Sequence, residues 1–97
     1  MGTREYKEGL LESLRDPEEA SDYLSGAFED GDPEVILLAI RDVVEAQGGI
    51  GQVSKKANLN RESLYRGLSE NGNPKLKSLC QLFKAMGFSL SVQPHGT

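Results

Sequence analysis

The sequence predicts an all-α bundle built on a helix-turn-helix, with N-terminal helices in front and one short β-strand at the C-terminus. Three observations carry that prediction. Apolar residues recur at spacings of three and four along most of the 97 residues. Three Asp/Asn-Pro pairs punctuate the chain as helix starts. Two short amphipathic segments flank a tight turn between residues 50 and 69.

The punctuation follows from backbone chemistry. Asp16-Pro17, Asp32-Pro33 and Asn73-Pro74 each place a capping side chain before a proline. The cap accepts from an orphan amide of the first turn, and proline at the first helical position has no N–H to lose. Glu19 adds negative charge near the positive end of its helix.

Tyr6, Leu10 and Leu14 recur every four residues and predict a first helix. Ala20, Tyr23, Leu24, Ala27 and Phe28 form the stripe of a second, ending near Asp30-Gly31. Val35, Ile36, Ala39, Ile40, Val43 and Val44 give a third, stopped by Gly48-Gly49. Leu76, Leu79, Cys80, Phe83 and Met86 give the last, ended by Gly87, with Cys80 read as core. Phe88-Ser89-Leu90-Ser91-Val92 instead alternates with period two, so residues 88–92 are expected as a strand. A lone strand leaves unpaired backbone groups. Phe88, Leu90 and Val92 are therefore expected in a homodimer or partner interface, the alternative being a tail packed on its own domain.

The segment from Ile50 to Ser69 holds the densest information. Val53 and Ala57 face inward on one short helix, and Leu64 and Leu68 on the next, with Leu59 plugging the turn. Ser54 is small where the helices cross. Asn58 stands where a left-handed residue is needed, and Asn60 is placed to cap the second helix. These residues, with Gln52 to Ala57, Arg61 to Arg66, Gly72 to Leu76 and Leu79 to Gly87, resemble the phage-repressor-like (XRE, lambda-repressor-like) regulators. Ser54 stands for the family's usual alanine and Asn58 for its usual turn glycine.

A narrower resemblance spans nearly the whole chain. Asp16 to Ala20, Tyr23-Leu24, Gly31 to Glu34, Asn60 to Arg66 and Gly87 to Val92 are similar to HigA-like antitoxins of type II toxin–antitoxin modules, the addiction-module antidotes. That resemblance implies a RelE/ParE-like toxin as partner and repression of the module's own promoter.

Composition sets the outer bounds. The net charge of −4 and the 27% of charged residues fit a soluble chain, yet the charge is divided unevenly. Residues 1–33 hold three bases and ten acids, net −7, whereas 34–97 carry net +3 and 51–84 carry +5. This suggests an acidic N-terminal helical segment (1–33) facing one partner and a basic domain (34–97) facing double-stranded operator DNA. On the recognition helix, Arg61, Glu62, Tyr65 and Arg66 are expected at base edges, because Leu64 and Leu68 point inward. Gln52, Lys55, Ser69, Asn73 and Lys75 are expected at phosphates. In the acidic segment Leu10, Leu11, Leu14, Tyr23 and Phe28 would anchor a toxin, the competing view being that this pair of helices merely packs on the core.

Other functions find little support. One Cys and one His, Cys80 and His95, cannot build a zinc shell, no disulfide can close, and no metal or cofactor is expected. Gly48-Gly49-Ile50-Gly51 lacks the Lys-Ser/Thr of a phosphate loop, and no nucleophilic set is visible, so no catalytic residue is expected. No apolar run nears the ~20 residues of a membrane span, and the charged first residues do not read as a secretory signal, so a cytoplasmic location is expected. The readings left open beside the antitoxin are a phage-type regulator without a toxin and an interaction adaptor that has lost DNA binding.

Overall fold

The computed structural model describes residues 3–95. Six helices follow in order: α1 (Thr3–Ser13), α2 (Pro17–Asp30), α3 (Pro33–Ala46), α4 (Ile50–Ala57), α5 (Arg61–Leu68) and α6 (Leu76–Ala85). α3 is the central element and packs against α1, α2, α4 and α5, while α4 also packs on α5 and α6.

Two Asp-Pro pairs start helices as their chemistry predicts. Asp16 Oδ1 accepts from the Glu18 amide at 3.0 Å and Asp32 Oδ1 from the Glu34 amide at 2.9 Å. Pro17 and Pro33 occupy the first helical positions. Gly31 then closes α2 in the left-handed region (φ 82°), returning its amide to Ala27. After α3, Gly48 and Gly49 take φ 113° and 97°, a sharp exit open to glycine at little cost.

Every helix contributes to one apolar core. Ile40 and Val43 of α3, Ala20 of α2 and Leu82 of α6 are fully enclosed, with Leu14, Val53, Leu64, Leu68 and Phe83 around them. Burial of each large side chain contributes about 1.5–3 kcal/mol. Tyr23 and Asp42 add a polar tie between α2 and α3. The phenol donates to Asp42 Oδ2 at 2.6 Å, which satisfies a carboxylate only 7% exposed.

Four expectations are corrected here. No strand forms among the described residues: Phe88 to Val92 has no regular secondary structure. Alternation alone cannot make a strand without a neighbour to share its amides, and the described residues offer no second strand. The Phe88 amide instead returns to the Phe83 carbonyl at 2.8 Å, and its ring meets Phe83 edge-on at 6.5 Å. Asn73-Pro74 does not start α6. That helix begins at Leu76 with Lys75 as its N-cap and no side-chain bond there. Cys80 is exposed rather than core. The buried face of α6 is Leu82, Phe83 and Met86 with half-buried Leu79, so Leu76 and Cys80, one turn apart, share the outer side. Finally, Leu14 is 2% exposed, inside the core, which removes it from the candidate toxin anchors. Leu10, Leu11 and Tyr23 are half-buried, and Phe28 remains 40% exposed.

Candidate nucleic-acid interface

The turn between α4 and α5 takes its shape from three residues. Asn58 adopts φ 58°, ψ 45°, the left-handed conformation its position requires. Its amide bonds to the Lys55 carbonyl, and the Leu59 amide reaches back to Ser54 at 2.8 Å, closing α4 in the Schellman manner. Leu59 packs against the core. Asn60 then returns to extended backbone, and its Oδ1 accepts from the Ser63 amide at 2.9 Å, starting α5. Ser54 is buried, and its hydroxyl donates to the Gly51 carbonyl at 3.1 Å.

Leu64 and Leu68 anchor α5 to the core, so the helix presents Arg61, Glu62, Tyr65 and Arg66 outward, all exposed. With Ile50 these four line one shallow hollow of about 270 Å³. The Arg61 guanidinium lies along the first turn of α4: a Cβ on Gly51 would sit 3.6 Å from its Cζ. A second groove of about 580 Å³ runs along the other flank, lined by Asn60, Ser63, Arg66, Asn71, Asn73 and Lys75 among others. Arg66 borders both.

The two hollows therefore gather six of the nine residues expected at DNA. Gln52 and Lys55 are exposed on α4 but border neither hollow. The Gln52 amide folds back over Gly48, where a Cβ would meet Oε1 at 2.6 Å. The Ser69 hydroxyl donates to the Arg66 carbonyl at 2.7 Å and so caps the helix end internally. Asn60, Ser63 and Asn71 enter the groove without having been expected there. Asn60 gave only a capping signal, and the loop that carries Asn71 folds back by tertiary contact.

That fold-back depends on glycine. A Cβ on Gly72 would lie 2.2 Å from the Gly67 carbonyl oxygen, so only a residue without a side chain fits under the end of α5. On the other side, Gly67 lets Pro74 approach to 3.2 Å of where its own Cβ would stand.

Electrostatics keep the face open. Among the described residues the ion pair present is Lys7 Nζ to Glu45 Oε1 at 3.2 Å, and no cation of α4, α5 or the following loop is paired with a carboxylate. No group of described His, Cys, Asp and Glu residues is placed to hold a metal. No described helix is long and apolar enough to cross a membrane.

Residues 6–94, all six helices in whole or large part, match the family model described as probable addiction module antidote protein. The chain belongs to this family. As a probable addiction module antidote it implies a cognate toxin. It is also 33% identical over 84 residues to an uncharacterized protein of Haemophilus influenzae, covering 87% of this chain and 86% of that relative. No solved structure matches the antidote chain.

Proposed function

We propose that this antidote is a sequence-specific DNA-binding antitoxin of a type II module, of the HigA-like kind, on a lambda-repressor-like helix-turn-helix. It neutralises a RelE/ParE-like toxin and represses its own promoter as a homodimer in the cytoplasm. The observation that carries the DNA half is the outer face of α5: Arg61, Glu62, Tyr65 and Arg66, exposed, side by side and free of ion-pair partners. A two-turn helix held from beneath and bare on top has the form of an element that enters a major groove. Arg supplies bidentate donors to guanine and Glu an acceptor for cytosine N4. The flanking groove, with Lys75, Asn73 and Arg66, suits the phosphate strand.

The toxin half rests on family membership and on charge. Residues 1–33 carry net −7 and would complement the cationic surface of an RNA-gripping ribonuclease. Phe28 and Leu10 remain as apolar anchors. In this division residues 34–97 form the DNA-binding part.

A mobility shift on the chain's own upstream region tests repression. A sequence-selective shift by antidote alone or with toxin is expected, and its absence in both states overturns the repressor reading. Co-expression tests the other half: growth rescue is expected to fail when the exposed Glu8, Glu12, Asp22 and Glu29 are replaced by lysine with the core left in place, and unchanged rescue overturns the acidic-arm reading. For the dimer, Leu90 and Val92 are the exposed apolar residues of the tail, at 47% and 98%. Light scattering of a chain truncated after Gly87 is expected to read a monomer, and an unchanged dimer moves the interface elsewhere.

A further inference from the structure

α5 has only eight residues, too few to hold a helix by themselves. Its inner face rests on Leu64 and Leu68, and apolar contact is non-directional, so it resists tilting and rotation only weakly. Its own Asn60 caps its start, and two directional bonds from α3 fall at and just beyond its C-terminal end. Arg41 Nη1 donates to the Leu68 carbonyl, one of the last four carbonyls that a helix leaves without internal partners. Its positive charge also meets the negative end of the α5 dipole. Glu34 accepts the Asn71 amide with both carboxylate oxygens, at 3.1 and 3.2 Å, and Asn71 is itself left-handed at φ 63°. Residues 34 and 41 are seven apart, two turns along one face of α3. Between them they hold the end of α5 and the loop that closes beneath it, while Gly72 lies against the Gly67 and Arg66 carbonyls.

We propose that Glu34 and Arg41 are positioning residues that set the angle at which α5 presents Arg61, Glu62, Tyr65 and Arg66. Neither borders the outer hollow, so neither is placed to touch a base there. Their effect is on selectivity: bidentate base contacts need fixed geometry, whereas phosphate contacts tolerate a tilted helix. The role in DNA selectivity rests on the DNA reading above; the holding of α5 does not.

The test uses the full chain with two probes, a duplex from its own upstream region and a shuffled duplex of equal length and composition. Arg41→Met and Glu34→Ala are each expected to weaken binding to the first roughly tenfold, the loss of one charge-assisted bond. Binding to the shuffled duplex should stay within about threefold. Glu34→Gln, which keeps an acceptor, and Arg41→Lys, which keeps a donor, should restore part of the difference and cover the case in which the harsher variants fail to fold. Hydrogen exchange reads position without DNA. The Asn71 amide in Glu34→Ala and the amides at the end of α5 in Arg41→Met should exchange roughly tenfold faster. A folded variant with unchanged exchange overturns the proposal, as does an equal loss on both duplexes. A wild-type chain that does not prefer its own upstream duplex sinks the DNA reading instead, and exchange then decides alone whether α3 holds α5.

Discussion

Arg61 and Lys75 both carry charge toward the candidate DNA face, but they stand in different surroundings. Arg61 lies beside α4 in the outer hollow with Glu62 and Tyr65, whereas Lys75 lines the flanking groove. Arg61→Ala is expected to cost about 1–3 kcal/mol on the preferred duplex and to relax base preference at one position. Lys75→Ala should weaken all duplexes alike and flatten the salt dependence by about one unit of slope. Anisotropy titrations at several salt concentrations separate the two. A different residue-scale prediction concerns Gly72. Its Cβ position is 2.2 Å from one carbonyl oxygen and 2.7 Å from another, so Gly72→Ala must push the loop away from α5. We expect about 1–3 kcal/mol of lost stability in urea melts. The sequence offered Gly72 as part of a resemblance, but the close approach that demands glycine is visible only in three dimensions.

At the scale of the element, the N-caps give a graded test. Asp16, Asp32 and Asn60 each bond an amide of the first turn, so replacing any one with alanine should cost about 1 kcal/mol. Asn73, in an identical Asn/Asp-Pro setting, caps no helix and its alanine variant should melt like the parent. Thermal unfolding by circular dichroism checks all four. The failed reading at Asn73 has a plain cause. A cap-proline pair marks where a helix is able to start, and tertiary packing decides whether it does. Pro74 is held against Gly67, and α6 begins two residues later at Leu76, with Lys75 as its cap. α6 illustrates the same limit for burial. Its apolar residues occupy more of the circumference than the core covers, and the buried face centres on Leu82 and Phe83 rather than on Leu76 and Cys80. Leu82 proved fully enclosed while Leu76 is 73% exposed and Cys80 lies outside. The period was legible, the phase less so.

For the whole molecule, the tie between α2 and α3 links the acidic front to the basic body. Burial, reinforced by the bond to Asp42 and by its charge, holds the Tyr23 phenol well above its ordinary 10.0. The sign of the consequence is set by linkage. Above pH about 10 the unfolded chain releases this proton and the folded chain keeps it, so stability falls with rising pH from there upward. Tyr23→Phe should abolish that part of the alkaline slope. It should also lower stability at neutral pH by about 1–3 kcal/mol, because the buried Asp42 carboxylate loses its donor. Urea melts at pH 7 and at alkaline pH read both effects.

The sequence by itself determined the helical class, the helix starts at Asp16, Asp32 and Asn60, the stops near Gly31, Gly48 and Gly87, the left-handed residue of the turn and the division of charge. These are local properties: 3.6-residue periodicity, the hydrogen-bonding needs of helix ends and the count of Lys and Arg against Asp and Glu all act within a few residues. Tertiary structure alone decided that Leu14 is core, that residues 88–92 form no strand, and that Asn60, Ser63 and Asn71 meet Lys75 in one groove. It also decided that Arg41 reaches the end of α5 across 27 residues and that Glu34 reaches Asn71, in the loop after it, across 37. Such contacts join side chains far apart along the chain, and their partners are chosen by the packing of the whole core rather than by any local pattern.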